Sequence, residues 1–127
     1  MAKESLGKEI FATEVHEIGA EAKMFKDINM VILFGSAAPD ALRPSCYIID
    51  VTPVKGEIKK GMYLQINGHR YLITAVGGEV QTNLTNLGHI AITFDGSKEA
   101  NLPGTLYIEN AEYPNIEVGS KIRIVAD

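Results

Sequence analysis

Met62-Tyr63-Leu64-Gln65-Ile66-Asn67-Gly68-His69-Arg70-Tyr71-Leu72-Ile73-Thr74-Ala75-Val76 is the stretch that decides the fold class. Met62, Leu64 and Ile66 recur at a spacing of two, which puts them on one face of a strand. Tyr71 to Val76 is a second β-patterned run. Asn67-Gly68 lies between the two runs. A type I′ turn needs positive φ at both central residues, and Asn-Gly tolerates that best, so the stretch predicts a β-hairpin.

The same period extends in both directions. Upstream, Glu9 to Ile18 is a strand candidate with imperfect alternation. Met30 to Phe34 is continuously apolar, as in a strand covered on both faces, and reads as core rather than as an interface edge. Cys46 to Val51 is similar. Downstream, Ile90, Ile92 and Phe94 form an alternating face closed by Asp95-Gly96, and Leu106 with Ile108 and Ile122 with Ile124 repeat it. Helical signals are few. Gly19 to Asp27 predicts about two turns from its good helix formers. Val80, Leu84 and Leu87 make one apolar stripe in Glu79 to Leu87, and Gly88 supplies the terminating glycine. That helix allows a non-hairpin connection between the strands ending at Val76 and starting at His89. About eight short strands with one or two short helices predict an all-β fold, a small closed or partly closed β-barrel. A glycine-bearing turn feeds a strand twice, in Ile58-Lys59-Lys60-Gly61 and in Val118-Gly119-Ser120-Lys121, a weak sign of duplication.

Composition narrows the function classes. The chain has 127 residues with no internal linker or low-complexity tract, so residues 1–127 read as a single domain. Its net charge is −4 with no Lys/Arg run, which argues against nucleic acid as a partner. No stretch approaches the ~18 apolar residues of a membrane span. Met1 to Glu9 lacks the apolar run of a signal peptide, and a lone Cys46 fits a reducing compartment, so a cytoplasmic protein is expected. One cysteine excludes an internal disulfide and multi-cysteine zinc, and no His-x-His or Cys-x-x-Cys spacing points to a metal. No cofactor motif is present. Val76-Gly77-Gly78-Glu79 runs from a strand into a helix start, where backbone N–H groups can hold an anion, but it reads first as a tight turn. Ser36, Ser45 and Ser120 lack a nucleophile-elbow context.

Histidine chemistry is confined to three residues, His16, His69 and His89. His16, between Glu14 and Glu17, reads as a solvated strand residue. His69 follows the Asn-Gly turn and precedes Arg70; it is a hairpin-tip residue or an imidazole beside a guanidinium that holds phosphate. His89 follows Gly88. Its ring either bonds the last carbonyls of the helix or serves as a nucleophile or ligand at a strand mouth.

The series His69-Arg70-Tyr71, Thr74-Ala75-Val76-Gly77, Asn83-Leu84, Leu87-Gly88-His89, Phe94-Asp95-Gly96 and Pro103-Gly104-Thr105 resembles the glucitol/sorbitol-specific IIA component of the bacterial phosphoenolpyruvate-dependent sugar phosphotransferase system. Ala38-Pro39, Cys46-Tyr47-Ile48 and Lys55-Gly56 extend the likeness upstream, over roughly Gly7 to Val125. The resemblance implies a small β-barrel of the transferase class. It implies a phosphoryl group taken from the histidine phosphocarrier protein and handed to the IIB part of a IIB/IIC sugar permease. It also implies a phosphorylated histidine after the Cys-aromatic-Ile triplet, in a His-x-His element. Here Cys46-Tyr47-Ile48 is followed by Ile49-Asp50-Val51, and Ile49 cannot carry a phosphoryl group. Asp50 reads as an exposed strand carboxylate. Two alternatives stand: the acceptor is His69 or His89, with Arg70 as phosphate partner, or the chain has lost phosphotransfer and serves as a binding or regulatory module. A small-ligand-binding barrel without phosphoryl chemistry is a third reading.

Overall fold

A computed structural model describes residues 8–126; the N-terminal stretch Met1 to Gly7, on which part of the compartment reading rests, lies outside them. Among the described residues eight strands occur in chain order: β1 Lys8–Ile18, β2 Met30–Gly35, β3 Tyr47–Ile49, β4 Tyr63–Ile66, β5 His69–Val76, β6 Ile90–Thr93, β7 Thr105–Ile108 and β8 Lys121–Ala126. They close into a barrel in the order β1-β3-β2-β6-β7-β5-β4-β8. Most pairs are antiparallel, but β2 with β3 and β6 with β7 are parallel. The β4–β5 hairpin is the one the sequence predicts. Asn67 and Gly68 have φ of 50° and 88°, and Ile66 pairs with His69. Asn67 also ties the hairpin to β8: its side chain donates to Ser120 Oγ at 2.9 Å and accepts from the Lys121 N–H at 3.0 Å.

The imperfect alternation of β1 has a physical cause. Its ladder slips twice, between Glu9 and Phe11 and between Val15 and Glu17, and each β-bulge inserts an unpaired residue. The second bulge falls at His16. The Gly19 to Asp27 segment is a 3₁₀ helix, Ala22–Ile28, rather than two α-helical turns, and it ends at Asn29 in the left-handed region. The α-helix, α1, spans Val80–Leu87 and ends at Gly88 with φ 68°.

Exchanging β1–β4 for β5–β8 leaves the neighbour order of the barrel unchanged. The two halves match in detail. The Gly19 N–H donates to the Cys46 carbonyl and that of Gly77 to the Thr105 carbonyl; Glu21 N–H bonds Pro44, and Glu79 N–H bonds Pro103. The repeated turn glycines, Gly61 and Gly119, have φ of 92° and 95° and precede the matching strands β4 and β8. The duplication is therefore a property of the whole barrel. Each helical segment covers one end: Ala22 of the 3₁₀ helix and Val80 and Leu84 of α1 all join the central core.

That core is the barrel interior. Phe11, Val15, Leu33, Tyr47, Ile49, Leu64, Ile73, Ile92, Phe94 and Leu106 are all buried there. The Tyr47 hydroxyl meets its need for a partner at Tyr113, 2.9 Å away; burial first, and this bond second, push the Tyr113 phenol well above its ordinary pKa. A second, smaller core lies outside the barrel wall. Phe34 and Ile48 face outward and are covered by Ala38 and Cys46 of the β2–β3 crossover, with Ile32 against them. This explains why Met30 to Phe34 is apolar on both faces. Arg43 fastens the crossover: Nε and Nη2 bond the Glu17 carboxylate, both at 3.0 Å, and Nη1 donates to the Ser36 carbonyl at 2.9 Å.

Cys46 is 1% exposed, its thiol donates to the Leu42 carbonyl, and burial pushes it above its ordinary pKa. A thiolate is the reactive species, so an aromatic disulfide reagent will label Cys46 in unfolding concentrations of denaturant and at least about tenfold more slowly in the native state. Equal rates in the two conditions will show that the crossover opens without global unfolding.

Candidate functional site

The register places the sequence candidates at different ends of the barrel. His69 begins β5 at the hairpin tip, is exposed, and lies with its ring 4.5 Å from that of Tyr71. His89 sits just before β6. Ala91 pairs with Thr105 and Leu106 with Val76, so His89 lies at the end where β5 finishes. Eight residues of β5, at about 3.3 Å each, set the two histidines roughly 23 Å apart along the strand direction, too far to share one phosphate.

Strand alternation also separates His69 from Arg70. His69 has the parity of the inward residues Tyr71 and Ile73. Arg70 is on the outer face, with its guanidinium carbon 5.2 Å from the Tyr63 ring centroid. This much was legible in the sequence, because adjacent residues on a regular strand point to opposite faces.

His89 is held on three sides. Gly88 closes α1 and delivers the chain into β6, with the His89 N–H on the Asn83 carbonyl at 3.2 Å. The ring stacks on Phe34 with centroids 4.1 Å apart. Nδ1 lies 3.2 Å from the Leu33 carbonyl oxygen. A carbonyl only accepts, so Nδ1 carries the proton and Nε2 keeps its lone pair. The ring therefore bonds the neighbouring strand and not the helix carbonyls that sequence position suggests, because cross-strand pairing of β2 with β6 puts Phe34 and His89 side by side on the outer face. Next to it, Val51 packs over Gly35 and Gly88. A Cβ on Gly35 would lie 2.5 Å from Val51 Cγ2 and 2.7 Å from the Leu87 carbonyl oxygen. Val51 and Leu87 are themselves 48% and 45% exposed, an apolar rim beside the imidazole.

Ile49 points into the barrel and is 1% exposed. Asp50, one residue on, is exposed and meets His16: Nε2 of the imidazole and Oδ1 of the carboxylate are 2.8 Å apart. This is a pairing that sequence reasoning missed. Its one local signal is the broken alternation at His16.

Val76-Gly77-Gly78-Glu79 is a turn with two of its backbone donors engaged. The Gly77 N–H bonds Thr105 and the Glu79 N–H bonds Pro103, which leaves neither for an anion. Beside it, an open cleft of about 510 Å³ is lined by Lys59, Lys60, Gly77, Gln81 and Lys98 among others, and none of the histidines lines it. Gln81 is engaged there, accepting from Ile58 N–H and donating to the Gly56 carbonyl. Ser120 is buried and structural. Among the described residues, no three His, Cys, Asp or Glu side chains converge on a possible metal, and no helix is long and apolar enough to cross a membrane.

The family model for the PTS glucitol/sorbitol-specific IIA component matches residues 10–123. The chain belongs to this family. The PTS system glucitol/sorbitol-specific EIIA components of Shigella flexneri and Escherichia coli K12 are each 35% identical over 114 residues, covering 90% of this chain and 93% of theirs. A crystal structure of a PTS system IIA component from Enterococcus faecalis V583 superposes with a TM-score of 0.80 at 26% identity, covering 91% of this chain and 100% of that one. That likeness covers 91% of this chain, so this chain and that component share one fold.

Proposed function

We propose that the chain is a phosphoryl carrier in glucitol/sorbitol uptake, taking the group from the histidine phosphocarrier protein and passing it to a IIB domain at the cytoplasmic face of the permease, with His89 as the acceptor. The observation that carries this reading is the hydrogen bond from Nδ1 to the Leu33 carbonyl, which leaves Nε2 as the nucleophile on an imidazole clamped by Phe34. Attack by the Nε2 lone pair on phosphorus forms the new N–P bond, and the carrier's imidazole leaves with its electron pair. The ring becomes positive while Nδ1 keeps its proton. The Leu33 carbonyl and the C-terminal end of α1 both favour that charge. The apolar rim of Val51 and Leu87 is the kind of surface a partner protein covers. His69, exposed at the far end with Arg70 on the opposite face of its strand, is the alternative acceptor that the same experiment tests.

Incubation with phosphoenolpyruvate, enzyme I and the phosphocarrier protein, followed by intact-mass measurement, tests the reading. The expected product carries acid-labile phosphate, including an Nε2-linked phosphohistidine that disappears in His89→Ala and persists in His69→Ala. The reverse pattern moves the acceptor to His69. A chain that takes up no phosphate where another IIA component does sinks the relay. In that case the module reading holds, and one observation already favours it: Ile49 is an apolar core residue at the place where the resemblance implies a histidine.

A further inference from the structure

His16 and Asp50 form a pair that the relay through His89 leaves unused. The Nε2–Oδ1 distance is 2.8 Å, and both side chains are about half exposed, at 51% and 56%. A carboxylate only accepts, so Nε2 carries the proton and the lone pair sits on Nδ1, the reverse of His89. The pair is also positioned. His16 is the extra residue of the β1 bulge, a feature that re-aims a side chain, and the bulge is seated against β3 between the Val15–Ile49 and Glu17–Ile48 pairs. The chain around Asp50 is stapled to β1 from both sides. Thr13 Oγ1 donates to the Asp50 carbonyl and Thr52 Oγ1 to the Ala12 carbonyl, both at 2.8 Å. On the same outer face Lys121 ion-pairs with Glu14, whose carboxyl it holds below the ordinary range and which also feels His16 and Asp50.

We infer that His16 is a second phosphoryl acceptor, through Nδ1, with Asp50 as its positioning residue; the inference rests on the relay reading above. β3 lies between the two acceptors. His16 is on β1 to one side of it, and His89 lies across β2 on the other. The Nδ1 lone pair attacks the phosphorus of the carrier's phosphohistidine, the donor N–P bond breaks, and the donor ring keeps the electron pair. The His16 ring becomes positive while Nε2 keeps its proton and donates it in a hydrogen bond to Asp50, whose carboxylate stabilises the charge. The same steps in reverse release the group to the next acceptor.

The two sites differ in the nitrogen that carries phosphorus, so ³¹P NMR of the enzymatically phosphorylated chain separates them. The wild-type chain is expected to show both an Nδ1-linked and an Nε2-linked signal. His16→Ala and His16→Gln each remove the first and keep the second; His89→Ala does the opposite. Asp50→Asn leaves the fold intact by circular dichroism, slows Nδ1 loading about tenfold, and lets some phosphate appear at Nε2 of His16, an outcome that a purely structural carboxylate does not produce. An Nδ1 signal that survives both His16 variants, or a wild-type chain with Nε2 linkage alone, overturns the inference and leaves the relay standing. Absence of any phosphate overturns both.

Discussion

Phe94→Ala will lower the unfolding free energy by about 4 kcal/mol, the largest stability effect expected of a single side-chain truncation in this chain. Phe94 is fully buried at the end of β6, edge-on to Tyr71 with ring centroids 5.2 Å apart. Alanine removes most of the ring's contacts and leaves a cavity that the closed wall cannot collapse to fill. Its backbone is pinned: the N–H donates to the Asn29 carbonyl at 3.1 Å, and the carbonyl accepts from Asn29 Nδ2 at 2.9 Å. Denaturant unfolding followed by fluorescence and circular dichroism will read the change as a lower midpoint at constant slope. Phe94→Leu keeps most of the volume and will cost less than half as much. A loss under about 1 kcal/mol for Phe94→Ala will show that the helix-capped end of the barrel repacks around the void.

Gly77→Ala and Gly19→Ala will each destabilise by about 3 kcal/mol, lowering the melting midpoint by roughly 10 °C, and by similar amounts. The cause is close backbone approach and not a left-handed φ. A Cβ on Gly77 would lie 2.5 Å from the Leu102 carbonyl oxygen, and one on Gly19 would lie 2.5 Å from that of Arg43. Backbone carbonyls cannot swing aside as a flexible side chain can. Relief would break the Gly77–Thr105 or Gly19–Cys46 hydrogen bond that starts each helical crossover. The two glycines are mates in the internal duplication, so unequal effects will show that the halves have diverged in rigidity. Gly78→Ala is the control, since nothing lies within 4 Å of its added carbon, and it will stay within about 0.5 kcal/mol of the parent.

The strands were legible because their information is local. Burial of one face imposes a period of two, and positive φ at two successive positions selects Asn67-Gly68. Eight strand segments and two helical ones were read that way, with errors at their boundaries. β3 is only Tyr47–Ile49, and the first helix is 3₁₀. The continuous burial of β7, where alternation was expected, comes from outside the strand: the Tyr107 hydroxyl accepts the Leu102 N–H and seals its outer face. The candidate histidines were legible as a short list, since only three exist. Their opposed tautomers were not, because each is set by a partner remote in sequence, Leu33 for His89 and Asp50 for His16.

By itself the sequence determined the strand content, the hairpin, the helical connection ended by Gly88 and the IIA resemblance, along with the absence of a histidine at Ile49. Each of these depends on residue type or on neighbours a few positions apart. Tertiary structure alone decided the parallel pairing of β2 with β3 and of β6 with β7, the closure of the barrel, and the separation of His69 from His89 to opposite ends. It also decided the meeting of His16 with Asp50. Backbone hydrogen bonds are identical at every residue, so local pattern cannot say which strand pairs with which. That choice is made when the whole chain finds the one register that buries all of its apolar faces together.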